Sequence, residues 1–280
     1  MYEEAITRAK PGCIIFLLDR SDSMGRDWQN ETLAEGAAGA VNTILRELCI
    51  RGRKGPGVTY HYFDVGVFGY GLRPLGGGQG VESALGGALK GSTLVGLPDL
   101  DANPLGLRQT VSPDLGGRTV QAPYWVEAVH GMLTPMCEAV ASAGQYVFEW
   151  VQAHPESFPP IVFNITDGWV TDSPYDGADL DDWAARLTGL TTQDGPALFF
   201  NIYLSPDPGT PTIFPDSPAG LPDPGPGLFQ ISSVLPPNMV DNARKVGLPM
   251  PDQARGLVFN ADPATLLQVL EIGTRVETRP

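Results

Sequence analysis

This 280-residue chain is short of positive charge. Its 18 Lys and Arg stand against 32 Asp and Glu, a formal charge of −14. A surface of that sign repels phosphate backbones and anionic headgroups, so nucleic acid and membrane lipid are not expected as partners. No lysine occurs between Lys90 and Lys245. Histidine is confined to His61, His130 and His154, none in a paired catalytic motif, and both the Gly-x-Ser-x-Gly elbow and the GxxxxGK[ST] phosphate loop are missing. Cys13, Cys49 and Cys137 form no Cys-x-x-Cys pair and each lies in an apolar pattern, which reads as buried free thiols in a reducing compartment. No apolar run approaches membrane-spanning length, and the opening MYEEAITRAK lacks the apolar core of a signal peptide, so the expected location is cytoplasmic.

A hydrophobic content of 42% with 18% charge is that of a globular protein with a real core, while 34 glycines and 27 prolines predict long loops. Cys13 to Leu18 is apolar without interruption, the pattern of a parallel strand buried on both faces. Leu33, Ala37, Val41, Ile44, Leu45 and Leu48 recur at helical spacing and predict a helix from about Thr32 to Arg51. A strand follows from about Val58 to Phe68. From 69 to 123 the periodicity dissolves, and this stretch reads as an insertion carrying short hairpins. Trp125 to His130 suits a short helical or extended piece. Thr134, as N-cap, and Pro135 then open a helix through Val151.

Further strands are expected at IVFNIT (161–166), at 197–204 and around Gly256 to Ala261. Helices are expected at Asp179 to Leu190, Met239 to Val246 and Pro263 to Gly273, the last with Asp262 as N-cap. The stretch 205–227, with proline every few residues, reads as polyproline-like loop. Alternating strands and helices imply one α/β domain over 1–280, a doubly wound, mostly parallel sheet with helices on both faces.

The candidate chemistry lies where strands end. The first strand stops at Asp19 and continues as Asp19-x-Ser21-x-Ser23; IVFNIT stops at Asp167-Gly168. In a doubly wound sheet such ends come together. Asp19, Ser21, Ser23, Thr134 and Asp167 would then offer two carboxylates and three hydroxyls, hard donors suited to Mg2+ or Mn2+. The bland alternative is that the serines are only a turn or a helix cap. Asp22 sits between the serines and reads as solvent-facing. Asp172 is a candidate for bracing the loop through hydrogen bonds, and Trp169, if exposed, for an interface anchor.

With these residues in place, the chain resembles von Willebrand factor A domains, whose metal-ion-dependent adhesion site uses Asp-x-Ser-x-Ser, a distant threonine and a distant aspartate. Asp19, Ser21 and Ser23 match the first element, Thr134 the threonine and Asp167 the last aspartate. Gly131-x-x-Thr134 has one residue more than the family's usual Gly-x-Thr. The resemblance implies a Rossmann-like fold and a protein-binding adaptor, in which an Asp or Glu of a partner completes the shell of the bound ion. Bacterial intracellular members are of similar length and often accompany kinases, phosphatases or chaperone-type ATPases.

Two rival readings remain. A haloacid-dehalogenase-like phosphoryl transferase also starts from an aspartate after strand one, but needs a second carboxylate where this chain has Ser21, and a lysine where it has none. A scaffold with a vestigial, unoccupied site is the other. The expectation is that the chain is not an enzyme.

Overall fold

Strand β1, Gly12–Asp19, is buried along its whole length, and its side chains alternate between two cores. Ile14, Phe16 and Leu18 enter one; Cys13, Ile15 and Leu17 enter the other. An unbroken apolar run thus serves a strand covered on both faces, each fully buried large side chain contributing about 1.5–3 kcal/mol. The computed structural model containing this strand describes residues 1–71, 80–112, 118–207, 209–245, 247–248 and 250–274.

Helix α1, Leu33–Gly52, begins at a capping box: the Thr32 hydroxyl accepts from the Glu35 amide, and the Glu35 carboxylate accepts from the Thr32 amide. The next main strand, β2, is Phe63–Tyr70, later than the expected start at Val58. Val58–Thr59 instead folds back on Arg53–Gly55, because Pro56 and Gly57, the latter at φ +71°, turn the chain.

The stretch 69–123 is partly woven into the sheet. β3, Val81–Ser83, and β4, Val95–Gly96, both pair antiparallel with β2. After α2, Leu97–Ala102, a hairpin is made by β5, Gly106–Ser112, and β6, Arg118–Tyr124. Part of the expected insertion, 72–79 and 113–117, lies outside the described residues. Trp125 to His130 is extended rather than helical, and the Asn42 side chain of α1 accepts from the Trp125 and Val126 amides.

The second half contributes α3, Met136–Ala153; β7, Ile161–Thr166; α4, Leu180–Thr188; and β8, Leu198–Leu204. Next come β9, Thr212–Ile213; α5, Gly225–Ile231; α6, Pro237–Lys245; β10, Leu257–Ala261; and α7, Pro263–Thr274. Asp179 and Asp262 accept from the amides of Asp182 and Thr265, capping α4 and α7. The proline-rich stretch is not all loop. Thr212–Ile213 pairs antiparallel with β10, Phe214 is buried, and α5 starts with Pro226 in its first turn, where a missing N–H costs nothing.

The sheet order is β9-β10-β8-β7-β1-β2-β3, with β4 also on β2; the five from β10 to β2 are parallel. Side chains of α1, α6 and α7 fill the core on one face, those of α3, α4 and α5 the core on the other. The doubly wound α/β architecture is therefore as expected. On the α3 face a buried polar ladder crosses the strands. Tyr70 Oη donates to Asn164 Oδ1 (2.8 Å), Asn164 Nδ2 to Asn201 Oδ1 (3.0 Å), and Asn201 Nδ2 to Ser232 Oγ (3.0 Å). The three cysteines are buried and free.

Candidate functional site

The chain leaves β1 for β2 on one side and later returns to β7 on the other. The carboxyl ends of β1 and β7 are therefore neighbours at a topological switch point, where open α/β sheets keep their ligands. Leu18 pairs with Ile165, so Asp19 arrives beside Thr166. Both Asp19 oxygens are engaged: Oδ1 accepts from the Ser21 amide at 2.8 Å and Oδ2 from the Thr166 hydroxyl at 2.6 Å. The first bond is an Asx-type turn that bends the chain immediately after the strand.

Ser21 occupies the cap position of a short 3-10 turn over Asp22–Gly25, yet its hydroxyl makes no cap bond. It lies 3.1 Å from the Ser23 hydroxyl and donates to Asp167 Oδ1 at 3.4 Å. The bland cap reading therefore does not account for this side chain. Asp19, Ser21 and Asp167 are buried and Ser23 is half-buried, so four of the five sequence candidates form one cluster of oxygens.

Thr134 reaches the same edge through its backbone. Its strand-like lead-in runs beside the serine loop, where the Met132 amide donates to the Arg20 carbonyl and the Asp22 amide to the Met132 carbonyl. The Thr134 amide and carbonyl both bond Thr171, in the loop that follows Asp167. Thr134 is buried but is not the N-cap expected from the sequence. Pro135 holds that position, and the Asp172 carboxylate takes the amides of Cys137 and Glu138 at 3.0 and 2.8 Å. A carboxylate from a distant loop caps α3 better than the adjacent hydroxyl, because it satisfies two N–H groups and faces the positive helix end. Asp172 thus has the bracing role considered for it. Asp22 is exposed. Trp169 is 65% exposed beside the cluster.

Two glycines make the geometry possible. Gly168 sits at φ +106°, and a Cβ there would meet Pro224 at 2.3 Å and Tyr203 at 2.8 Å. A Cβ on Gly69 would overlap the Arg20 guanidinium, which crosses β2 to bond Glu82. Arg20, although adjacent to Asp19, is thereby turned away from the cluster.

The charge balance is unusual. Burial pushes the Asp19 carboxyl up to about 7; the Thr166 bond opposes the rise, the Asp167 charge adds to it and the Ser21 bonds oppose it. Arg26 Nη2 bonds Asp167 Oδ2 at 2.8 Å. Among the described residues no three His, Cys, Asp or Glu side chains come together to hold a metal, so an ion here would draw on hydroxyls. The set fits a hard divalent cation. Its donors are all oxygens, it carries two close carboxylates, and a cationic side chain already lies on one of them. Sequence reasoning missed Thr166, Thr171 and Arg26. Thr166 stood inside the quoted IVFNIT strand, but nothing local marks its partner 147 residues away.

No protein-family model matches this chain, and no curated protein matches it. Similar solved structures include the pilus adhesin SpaC from Lactobacillus rhamnosus GG, at 14% identity and TM-score 0.40, over 70% of this chain and 25% of that one. The manganese-loaded Plasmodium vivax TRAP protein is 13% identical with TM-score 0.35, over 69% and 57%. The human COPII-coat protein Sec24c is 11% identical with TM-score 0.35, over 70% and 27%. This chain thus spans between 25% and 57% of the length of these three.

Proposed function

We propose that this chain is a von Willebrand factor A-type binding module. In this reading Asp19, Ser21, Ser23, Thr134 and Asp167 hold one Mg2+ or Mn2+, and an Asp or Glu of a protein partner completes the shell. The supporting observation is the convergence of the Ser21 hydroxyl on Ser23 and Asp167, beside Asp19, at the switch point of the sheet. Thr166 and the Ser21 amide orient Asp19; the Asp172 cap leaves the Thr134 hydroxyl free of helix capping. A bound ion would supply a positive centre with an open position for a foreign carboxylate oxygen. A chain at −14 repels an acidic partner at long range, so the attraction has to be local. In this reading Trp169, which is exposed, would pack on such a partner.

The reading is tested by co-purification from native lysate. A partner should be recovered with Mg2+ and lost on chelation. Thr134→Ala should weaken recovery while leaving the unfolding temperature close to wild type. A partner that stays bound through chelation and through both Ser21→Ala and Thr134→Ala would sink it.

A further inference from the structure

Arg26 is a cation that the chain itself brings to the site. It lies just past the serine loop, and its guanidinium straps two segments together: Nε donates to the Ser23 carbonyl at 3.1 Å and Nη2 to Asp167 Oδ2 at 2.8 Å. The pair is lopsided. The Arg26 side chain is 48% exposed, whereas that of Asp167 is 1% exposed. Asp167 needs a positive partner, since a buried carboxylate left alone is strongly penalised. Arg26 has no such need, because its exposed head can return to water. The two serine hydroxyls and Asp167 Oδ1 gather on one side of the carboxylate, with the guanidinium on the other oxygen. A divalent ion drawn in there would meet a like charge sharing the same carboxylate.

We infer that Arg26 is a resident counter-cation. It neutralises Asp167 in the metal-free protein, must yield when a divalent ion takes that carboxylate, and so sets how tightly the ion is held. This inference rests on the metal-binding reading above. Removing the guanidinium should have two effects of opposite sign. Metal affinity rises, because no like charge competes. Metal-free stability falls, because Asp167 loses its partner.

The test uses chelator-stripped full-length protein and Mn2+ alone, measured by titration calorimetry and thermal unfolding. Arg26→Met should bind Mn2+ about tenfold more tightly than wild type, the size expected for relief of one nearby like charge. It should also unfold at a lower temperature in chelator and gain more from Mn2+ than wild type does. Arg26→Lys, which keeps the charge, should remain near wild type in affinity, and Arg26→Gln should follow Arg26→Met. Equal or weaker Mn2+ binding by Arg26→Met and Arg26→Gln, with binding still lost in Asp19→Ala, overturns the role of Arg26 and leaves the metal site standing. No binding by any variant, or binding indifferent to Asp19→Ala, overturns both.

Discussion

Two aspartates at opposite ends of the sheet, Asp19 and Asp64, face the same helical layer and have opposite electrostatics. Asp64, near the start of β2, accepts from His61 Nε2 at 2.6 Å and from Trp150 Nε1 at 3.0 Å. Burial works to raise its carboxyl, but the bonds from His61 and Trp150, helped by the charges of His61 and His154, hold it below the usual range. Asp19 also has two hydrogen-bond donors, a hydroxyl and an amide, yet burial and Asp167 leave it raised to about 7. Asp64 is matched by its own donors and the neighbouring imidazoles, whereas Asp19 has only neutral donors and a second carboxylate beside it. Under the proposed reading that shortfall favours a cation at the carboxyl edge over the amino edge.

The contrast breaks most decisively through metal binding. Asp19→Ala should lower divalent-ion affinity by more than about 100-fold, to below detection in calorimetry, whereas Asp64→Ala should leave the isotherm unchanged. Equal losses in the two variants would show that the edges are not distinct.

A smaller effect, with a difference in sign, is expected for metal-free stability in chelator. Asp64→Asn removes the charge that His61 and Trp150 were built around and should destabilise by about 1–3 kcal/mol in denaturant titrations. Asp19→Asn relieves a buried, under-neutralised charge and should be at least as stable as wild type. A comparable drop in both would erase the distinction.

The amino-edge pair should also carry a pH signature. The Asp64 bond raises the His61 pKa; partial burial works against it, and the charges of Asp64 and Asp99 reinforce it. A histidine raised on folding contributes stability that is complete below its unfolded value, about 6.5, and is lost as pH rises through the folded value. The stability gap between wild type and His61→Gln, measured in chelator, should therefore narrow as pH rises across that window. A widening gap would contradict the assignment of charge to this pair. The smallest expected effect is none: with Mg2+, the protein should turn over generic phosphomonoesters no faster than Ser23→Ala.

What could be read in the sequence was what is local. The apolar run of β1 and the oxygen-bearing residues after it are contiguous, as are IVFNIT and Asp167, so strand type and donor chemistry lay side by side. Thr166 on Asp19, Arg26 on Asp167 and Asp172 on the start of α3 join segments 35 to 147 residues apart, and no periodicity records such pairings. Thr134 shows the cost. Local rules made it a helix cap, and a distant carboxylate took that task. The proline-rich stretch is largely loop, and it departs from that reading at Thr212–Ile213 for a related reason, since that pairing is decided by the open edge of β10 rather than by its own residues.

The polar ladder from Tyr70 to Ser232 has a consequence for how the strands align. Strands apolar on both faces carry little information about register, because sliding one by a residue exchanges one apolar set for another. Asn164 and Asn201 are direct partners across β7 and β8, both fully buried among otherwise apolar neighbours. A slip of one residue would turn Asn201 toward the opposite core, where Phe163, Phe200 and Phe214 gather, and strand its amide without a partner at about 1–3 kcal/mol. The two asparagines act as an alignment key. They hold β8 in register with β7, while the Tyr70 bond to Asn164, reaching across β1, favours the register of β7 that keeps Thr166 and Asp167 level with the end of β1.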